Sequence, residues 1–243
     1  TEKVVKKIKD TRIKYIRHGK RMGAPTTKAD GIKYSVGEYI LFGEDDVLYE
    51  PDYLKKLISC MNKNRADIVA GRLIHMKVNE SKKDSIERMN NIKQSLIDME
   101  LIIGHFGIKA ENDSEVPFVH ALFLTRKEIF NKISYDVEYL GNGFREETDP
   151  QISALKLGFK IVFCPNALCY HLPRIKTIGG GQHHISNISA IYWTIRNNNY
   201  FLKKHYPFLK EKYKLKHSMQ YMMILFAWKM TIEILLIKLY VLK

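Results

Sequence analysis

Residues 37–52 read GEYILFGEDDVLYEPD, and this stretch decides the fold. A short apolar run at 39–42 ends at three consecutive acids, Glu44, Asp45 and Asp46. A run of that length, rich in aromatic and β-branched side chains and flanked by glycines, predicts a buried strand. The acids would then lie at the carboxyl edge of a sheet, where open α/β folds bind ligands and where oxygen donors suit Mg²⁺ or Mn²⁺. The alternative is an acidic turn that caps the next helix.

The composition fits one ordinary to large domain with an anionic partner. The chain has 243 residues, 45% of them hydrophobic, and a formal net charge of +14. An anionic partner that complements this positive charge would be nucleic acid, an anionic membrane surface or a phosphorylated substrate. Three cysteines, Cys60, Cys164 and Cys169, do not make a disulfide framework, and we expect a reducing compartment. The chain has no visible signal peptide and begins with Thr, which predicts a fragment or a processed chain.

Strands that alternate with helices predict a mixed α/β sheet with helices on its faces. Strands are predicted at 13–16, 37–42, 67–73, 159–163 and 167–171, with a further apolar segment at 116–125. Helices are predicted at 26–36, 51–62, 81–99, 126–131, 150–157 and 186–204. A flexible LGNG loop at 140–143 leads to a second group of acids at 146–149.

The segment 207–243 differs from the rest because it is first very basic and then apolar. Lys229, Glu233 and Lys238 interrupt the apolar run, which therefore falls short of the ~18 uncharged residues expected of a spanning helix. The basic lead-in and Trp228 favour a helix lying on an anionic bilayer. The alternative is a helix docked on the preceding domain or on another subunit.

Four segments, in order, resemble blocks of the family 2 nucleotide-sugar glycosyltransferases, which have the GT-A fold. The segments are GIKYSVGEYILFGEDDVLYEPDYLKKLI at 31–58, VHALFLTRKEIF at 119–130, GFREETDPQISALKLGFKIVFCPNALCYH at 143–171, and Arg196-Asn197 with Phe201. The resemblance spans residues 12–206 and implies a GT-A-like (Rossmann-like) catalytic domain at 1–206, followed by the helical segment 207–243.

The resemblance implies a metal site around the acidic turn. Asp46 matches the last acid of the family's D-x-D motif, which contacts the metal that bridges the donor diphosphate. Glu44 takes the first acidic position, where Asp is usual, and Asp45 would face the ribose or the sugar. His171 matches a histidine that completes the metal site in some members; a packed histidine beside a strand is the alternative.

The resemblance also implies catalytic and phosphate-binding residues. Glu147 falls at the position of the catalytic base, although the pair is Glu-Glu rather than Glu-Asp, so the role could belong to Glu146. Lys28 keeps a positive charge beside the diphosphate position. His183 and His184, in the glycine-rich loop at 178–184, are candidates for phosphate contacts or members of a solvated loop.

The sequence departs from the family pattern at several positions. Ala29 replaces the usual Asn, and His120 replaces a glycine. The family's first strand and its base-binding segment would lie ahead of Thr1, so an N-terminally incomplete domain is expected. Asp149 opens the helix predicted at 150–157 and is equally suited to be its N-cap.

These observations predict an inverting, metal-dependent transferase that moves a sugar from a nucleotide-diphosphate donor to an acceptor hydroxyl, with Mn²⁺ or Mg²⁺ as cofactor. The acceptor would be a glycan or lipid-linked, the membrane surface would be met through 207–243, and the location would be cytoplasmic and membrane-associated. One alternative is a basic nucleic-acid-binding protein, although the sequence shows no RNA- or DNA-binding motif. The other is an inactive GT-A-like scaffold.

Overall fold

The computed structural model of the protein describes residues 2–173 and 187–241. Its strands are β1 (Tyr39–Leu41), β2 (Val47–Tyr49), β3 (Ile68–His75), β4 (Ile97–Asp98), β5 (Ile103–Gly104), β6 (Ser114–Glu115), β7 (Phe123–Arg126) and β8 (Ile161–His171). Its α-helices are α1 (Glu2–Val5), α2 (Ala24–Tyr34), α3 (Tyr53–Asn64), α4 (Lys82–Asn90), α5 (Thr148–Lys156), α6 (Asn187–Tyr213) and α7 (Met219–Val241). A short 3₁₀ helix covers Lys127–Asn131.

The main sheet is mixed, as predicted. Its strands lie in the order β1-β7-β3-β8-β2, with β6 paired to β8 as well. Strands β3 and β8 are parallel, and β7 runs antiparallel to both β1 and β3. Strands β1, β3 and β8 therefore point the same way, and the acids at 44–46 follow β1 at the carboxyl edge of the sheet.

Helices cover both faces of the sheet, which explains why residues 68–74 of its central strand β3 are all buried. Successive side chains of β3 alternate between the two faces, so Ile68 belongs to one core cluster and Val69 to the other. Leu57 of α3 packs in the cluster on one face, and Phe201 of α6 packs in the cluster on the opposite face.

Two elements predicted from sequence pattern are wrong. Residues 13–16 form no strand, because Ile13 and Ile16 are both 42% exposed and the alternation meets no partner strand. The helix predicted at 81–99 ends at Asn90, although it begins as expected, with the Ser81 hydroxyl accepting a hydrogen bond from the Asp84 amide at 3.1 Å. The chain then forms the β4–β5 hairpin.

The segment that we predicted as two strands around Pro165 is the single strand β8. Its pairing with β3 shifts register between Gly71 and Arg72, opposite Pro165 and its neighbours. A bulge accommodates the proline, which has no amide hydrogen to donate to the ladder. A Cβ at Gly71 would lie 2.2 Å from the Ala167 carbonyl oxygen, so the close approach requires glycine there.

Two of the three cysteines form a disulfide, contrary to the expectation of reduced thiols. Cys60 of α3 and Cys164 of β8 are bonded across 104 residues of chain, whereas Cys169 is free and buried. The separation in sequence hides the pairing, because only the packing of α3 on the sheet brings the two sulfurs together. The bond ties the helix that follows the acidic turn to the strand that ends at His171.

The C-terminal helices are packed against the domain on one side. Helix α6 continues through Pro207 to Tyr213, across the predicted boundary at 206. Met222 and Phe226 of α7 are buried, whereas Ile224 and Trp228 are exposed. No helix in the described part of the chain is both long enough and apolar enough to cross a membrane.

Candidate active site

The acidic turn and the end of β8 bring three potential metal ligands together. Strand β2 pairs with β8 so that Val47 lies opposite His171, and the Leu172 amide donates to the Asp46 carbonyl oxygen at 2.8 Å. His171 Nε2 consequently lies 3.7 Å from Glu44 Oε2 and 3.6 Å from Asp46 Oδ2. One ligand atom from each of these three side chains lies within 4.8 Å of the others. We call this group the strand wall.

The tautomer of His171 suits a ligand role. Its Nδ1 lies 3.0 Å from the Leu172 carbonyl oxygen, which can only accept a hydrogen bond, so Nδ1 carries a proton. In the neutral ring, Nε2 then presents its lone pair towards the two carboxylates. Metal-binding histidines characteristically donate their second ring N–H to a carbonyl or carboxylate in this way.

Two acids from a distant part of the chain line the same cavity as Glu44. Glu146 and Glu147 line a cavity of about 1210 Å³ that is also lined by Glu44 of the strand wall. Lys28 and the basic loop at 17–21 line it as well. The convergence of the acids near 45 and near 147, a hundred residues apart, is therefore a property of the fold. We call Glu146 and Glu147 the loop wall.

The two acids of the loop wall have different environments. Glu146 is only 6% exposed; its Oε1 accepts a hydrogen bond from Lys28 Nζ, and its buried Oε2 has no hydrogen-bond partner among the described residues. Burial raises the pKa of Glu146 to about 7, against the opposing effect of the Lys28 cation. Glu147 is half-buried at the N-terminal end of α5. Glu146 is therefore held in place by burial and by Lys28, whereas Glu147 is more accessible from the cavity.

Helix α6 holds the loop that carries these acids. Asn197 Nδ2 donates to the Leu140 carbonyl oxygen at 2.8 Å, and Arg196 donates to the Glu138 carbonyl oxygen. A Cβ at Gly141, where φ is +66°, would lie 2.1 Å from Trp193. The LGNG loop, predicted to be flexible, is therefore closely fitted to α6 through these contacts.

Asp149 is not the N-cap that its position suggested. It is 1% exposed and accepts hydrogen bonds from Tyr139 Oη at 2.9 Å and from Lys204 Nζ at 3.0 Å. Its Oδ1 also lies 2.7 Å from His205 Nε2. The residue joins α5 to α6, and Glu147 takes the N-cap position without a side-chain hydrogen bond to the helix.

Sequence reasoning missed two buried polar residues that support the site. They are Arg145 and Asn198, each less than 4% exposed. The run of three asparagines at 197–199 was a usable signal, because asparagine is a poor former of helix interiors. Of the remaining predicted residues, Asp45 is exposed in the turn, and His183 and His184 lie outside the described residues.

The sequence model described as "Glycosyl transferase family 2" matches residues 1–134, more than half of the chain. The chain belongs to glycosyl transferase family 2. No curated protein sequence matches it.

Comparison with solved structures supports the GT-A fold. A crystal structure of GalNAc-T7 with UDP, GalNAc and Mn²⁺ is 13% identical in sequence, with a TM-score of 0.53; the match covers 90% of this chain and 47% of that one. The TarS 1-349 fragment of S. aureus in complex with UDP-GlcNAc is 14% identical, with a TM-score of 0.45, over 82% of this chain and 58% of that one. The chain thus spans about half the length of these proteins.

Proposed function

We propose that the protein is an inverting, metal-dependent glycosyltransferase that moves a sugar from a nucleotide-diphosphate donor to an acceptor hydroxyl. The observation that carries the proposal is the shared cavity, which is lined by Glu44 of the strand wall and by Glu146 and Glu147 of the loop wall. Membership of family 2 and the GT-A fold support the same reaction class.

The strand wall fits a divalent cation such as Mn²⁺ or Mg²⁺. Glu44 and Asp46 supply carboxylate oxygens and His171 supplies a ring nitrogen whose opposite N–H is already bonded to a carbonyl. Mn²⁺ accepts such a mixed oxygen and nitrogen set more readily than Mg²⁺, which prefers oxygen donors. When bound, the ion would act as a Lewis acid that neutralises charge on the leaving diphosphate.

The loop wall supplies the proton acceptor for the attacking hydroxyl. A general base has to reach the acceptor, and it has to approach the sugar from the side opposite the leaving group if the configuration is to invert. Glu147 meets the first condition better than Glu146 because it is less buried. We assign the base to Glu147, with Glu146 as the alternative.

The cationic residues around the cavity suit the anionic part of the donor. Lys28 lies at the cavity and already pairs with Glu146, so its charge both offsets that acid and stays near the position of the diphosphate. Asp45 would face the ribose or the sugar, and His183 and His184 would add phosphate contacts. The assignments of Lys28 and Asp45 follow the family resemblance, whereas those of His183 and His184 follow the basic excess and the glycine-rich loop.

A donor screen with and without Mn²⁺ tests the proposal. The longest available form of the protein would be incubated with a panel of nucleotide sugars that includes UDP-GalNAc and UDP-GlcNAc, and release of nucleoside diphosphate would be measured. We expect Mn²⁺-dependent turnover that is abolished in Asp46→Ala. The matched control is Asp52→Ala, which removes a half-exposed acid that pairs with Lys56 at the start of α3. Turnover like that of the wild type in Asp46→Ala would reject the metal role.

We further propose that the acceptor is met at a membrane surface, on which α7 lies. Tyr221, Ile224 and Trp228 recur three or four residues apart and are all exposed, so they form one apolar stripe on the side of α7 away from the domain. Four exposed lysines precede the helix: Lys210, Lys212, Lys214 and Lys216. An apolar stripe beside a basic patch suits an anionic bilayer.

Vesicle sedimentation tests the membrane contact. We expect binding to vesicles containing phosphatidylglycerol, weaker binding to pure phosphatidylcholine, and loss of binding in Trp228→Ser combined with Ile224→Ser. A control variant, Leu157→Ser, removes an exposed apolar side chain elsewhere. Equal sedimentation of the α7 variant and the wild type would contradict the proposal.

A further inference from the structure

Arg145 is a buried cation that has no acidic partner among residues 2–173 and 187–241. It immediately precedes the loop wall and is 3% exposed. Within the described part of the chain, no carboxylate forms an ion pair with it, and burial lowers its pKa to about 10. A buried charge is costly unless its hydrogen bonds are fully satisfied, so the neighbours of this side chain must account for its presence.

Neutral oxygens from two parts of the chain satisfy the guanidinium group. Nε and Nη2 donate to Asn198 Oδ1 of α6 at 3.1 and 2.9 Å. Nη2 also donates to the Leu101 carbonyl oxygen at 2.8 Å, and Nη1 donates to the Ile102 carbonyl oxygen. The rigid, planar fork of donors is what allows one side chain to link these elements.

Aromatic rings from both C-terminal helices surround the same group. The guanidinium carbon lies 5.1 Å from the ring centroid of Phe201 in α6 and 5.8 Å from that of Phe226 in α7. Phe144, its neighbour in the chain, lies at 4.8 Å. Rings at this distance attract a cation, and the attraction grows when water is excluded. Arg145 is therefore the point where α6 and α7 both meet the loop.

The backbone of Arg145 sets the direction of the acids that follow. Its φ is +74°, a left-handed conformation that a residue with a side chain adopts only when its surroundings hold it there. Its carbonyl oxygen accepts hydrogen bonds from the amides of Thr148 and Asp149 at 3.1 and 3.0 Å, and so starts α5. The turn between these points contains Glu146 and Glu147.

We propose that Arg145 is a positioning residue, which fixes Glu146 and Glu147 at the cavity and through which helices α6 and α7 act on the site. The inference rests on the proposed function of the loop wall. It makes the C-terminal helices part of the reaction machinery, not an appendage to it.

Kinetics of two substitutions at this position test the inference. We expect Arg145→Met to lower kcat by about 100-fold with KM for the donor changed less than about threefold, since misplacing a catalytic group by about 1 Å can cost that much. Arg145→Lys keeps the charge and should recover part of kcat. The control is Arg72→Met, because Arg72 is also buried and is bonded to neutral oxygens, those of Gly107 and Asn90, but lies in β3 and not next to the loop wall. Equal kcat values in Arg145→Met and the folded wild type would overturn the inference.

Hydrogen exchange separates failure of the inference from failure of the proposed function. In Arg145→Met, amides at 143–149 and in α7 should exchange faster, whereas in Arg72→Met they should not. Arg145→Gly accepts the positive φ without the side chain, and should lose protection at the same amides. If the wild type transfers no sugar, exchange still decides whether the side chain holds the loop. Unchanged protection at 143–149 in Arg145→Met and in Arg145→Gly would overturn the inference, whatever the activity of the protein.

Discussion

The strand wall and the loop wall, of which Glu44, Glu146 and Glu147 line the cavity, are built in different ways. The strand wall comes from one turn and one strand end, and backbone pairing between β2 and β8 brings its three ligands together. The loop wall follows a left-handed residue, and its position depends on contacts with α6 and α7. Its first acid is buried, whereas the side chain of Glu44 is 41% exposed. A site formed by local pairing can be recognised in a sequence, whereas a site held by distant helices requires the fold.

The largest expected effect separates the roles of the two acids in the loop wall. Glu147→Gln should lower kcat by about 10²–10⁴-fold, the usual contribution of a general base, and Glu146→Gln should lower it less. Steady-state kinetics on the folded variants would measure both. If Glu146→Gln were the more damaging change, the base would be Glu146, and similar small effects in both would remove the loop wall from the reaction.

The next effect concerns the covalent link beneath the strand wall. The disulfide closes a loop of 104 residues, so Cys60→Ser should lower the free energy of unfolding by about 2–4 kcal/mol. Urea unfolding with and without reductant would measure the loss, and reductant should have no further effect on the variant. A thiol count of one in the denatured wild type is expected. Three free thiols would show that the sulfurs are not bonded.

The buried acid of the loop wall should make stability depend on pH. Because burial raises the pKa of Glu146 from 4.5 to about 7, the folded protein keeps a proton that the unfolded chain releases in this range. This contribution is fully present below pH 4.5 and is lost as the pH rises through about 7. Relative to Glu146→Gln, the wild type should therefore lose on the order of 3 kcal/mol between about pH 4 and pH 8.

Unfolding curves of both proteins across that pH range would measure the difference. Glu115→Gln, which changes an exposed acid, should run parallel to the wild type. If wild type and Glu146→Gln differed by a constant amount at every pH, the raised pKa would be wrong.

The smallest expected effect sharpens the role of His171 in the strand wall. His171→Ala leaves both carboxylates in place, so it should raise the Mn²⁺ concentration needed for half-maximal turnover by about tenfold, in the range found when a metal site loses a supporting group. Metal titrations of activity would measure it, with His217→Ala as the control. No change in the metal requirement would assign His171 to packing beside β8.

The sequence predicted the parts of the fold that depend on local patterns. The apolar run at 39–42 gave β1 and the position of the acids, and the run at 67–73 gave β3. It misassigned Ile13–Ile16 as a strand because periodicity does not say whether a partner strand exists. It divided β8 at Pro165 because the bulge depends on the neighbouring strand.

Longer-range features were beyond sequence reasoning for the same physical reason. Tertiary packing alone brings together Cys60 and Cys164, which form the disulfide. It also brings together Arg145 and Asn198, which are hydrogen-bonded. The family resemblance assigned Glu44 to the metal and Glu147 to catalysis, and so implied that they serve one reaction. The residue pattern alone placed the first acidic cluster at an edge of the sheet suited to a divalent metal, and did not relate it to the second cluster.

Anomalous scattering from manganese would test the central claim most directly, in crystals of the protein soaked with Mn²⁺ and a nucleoside diphosphate. We predict a single strong peak about 2.1 Å from oxygens of Glu44 and Asp46, with His171 Nε2 in contact and the diphosphate on the side facing Glu147. A peak elsewhere, or a diphosphate bound on the far side of the strand wall from Glu147, would contradict the account.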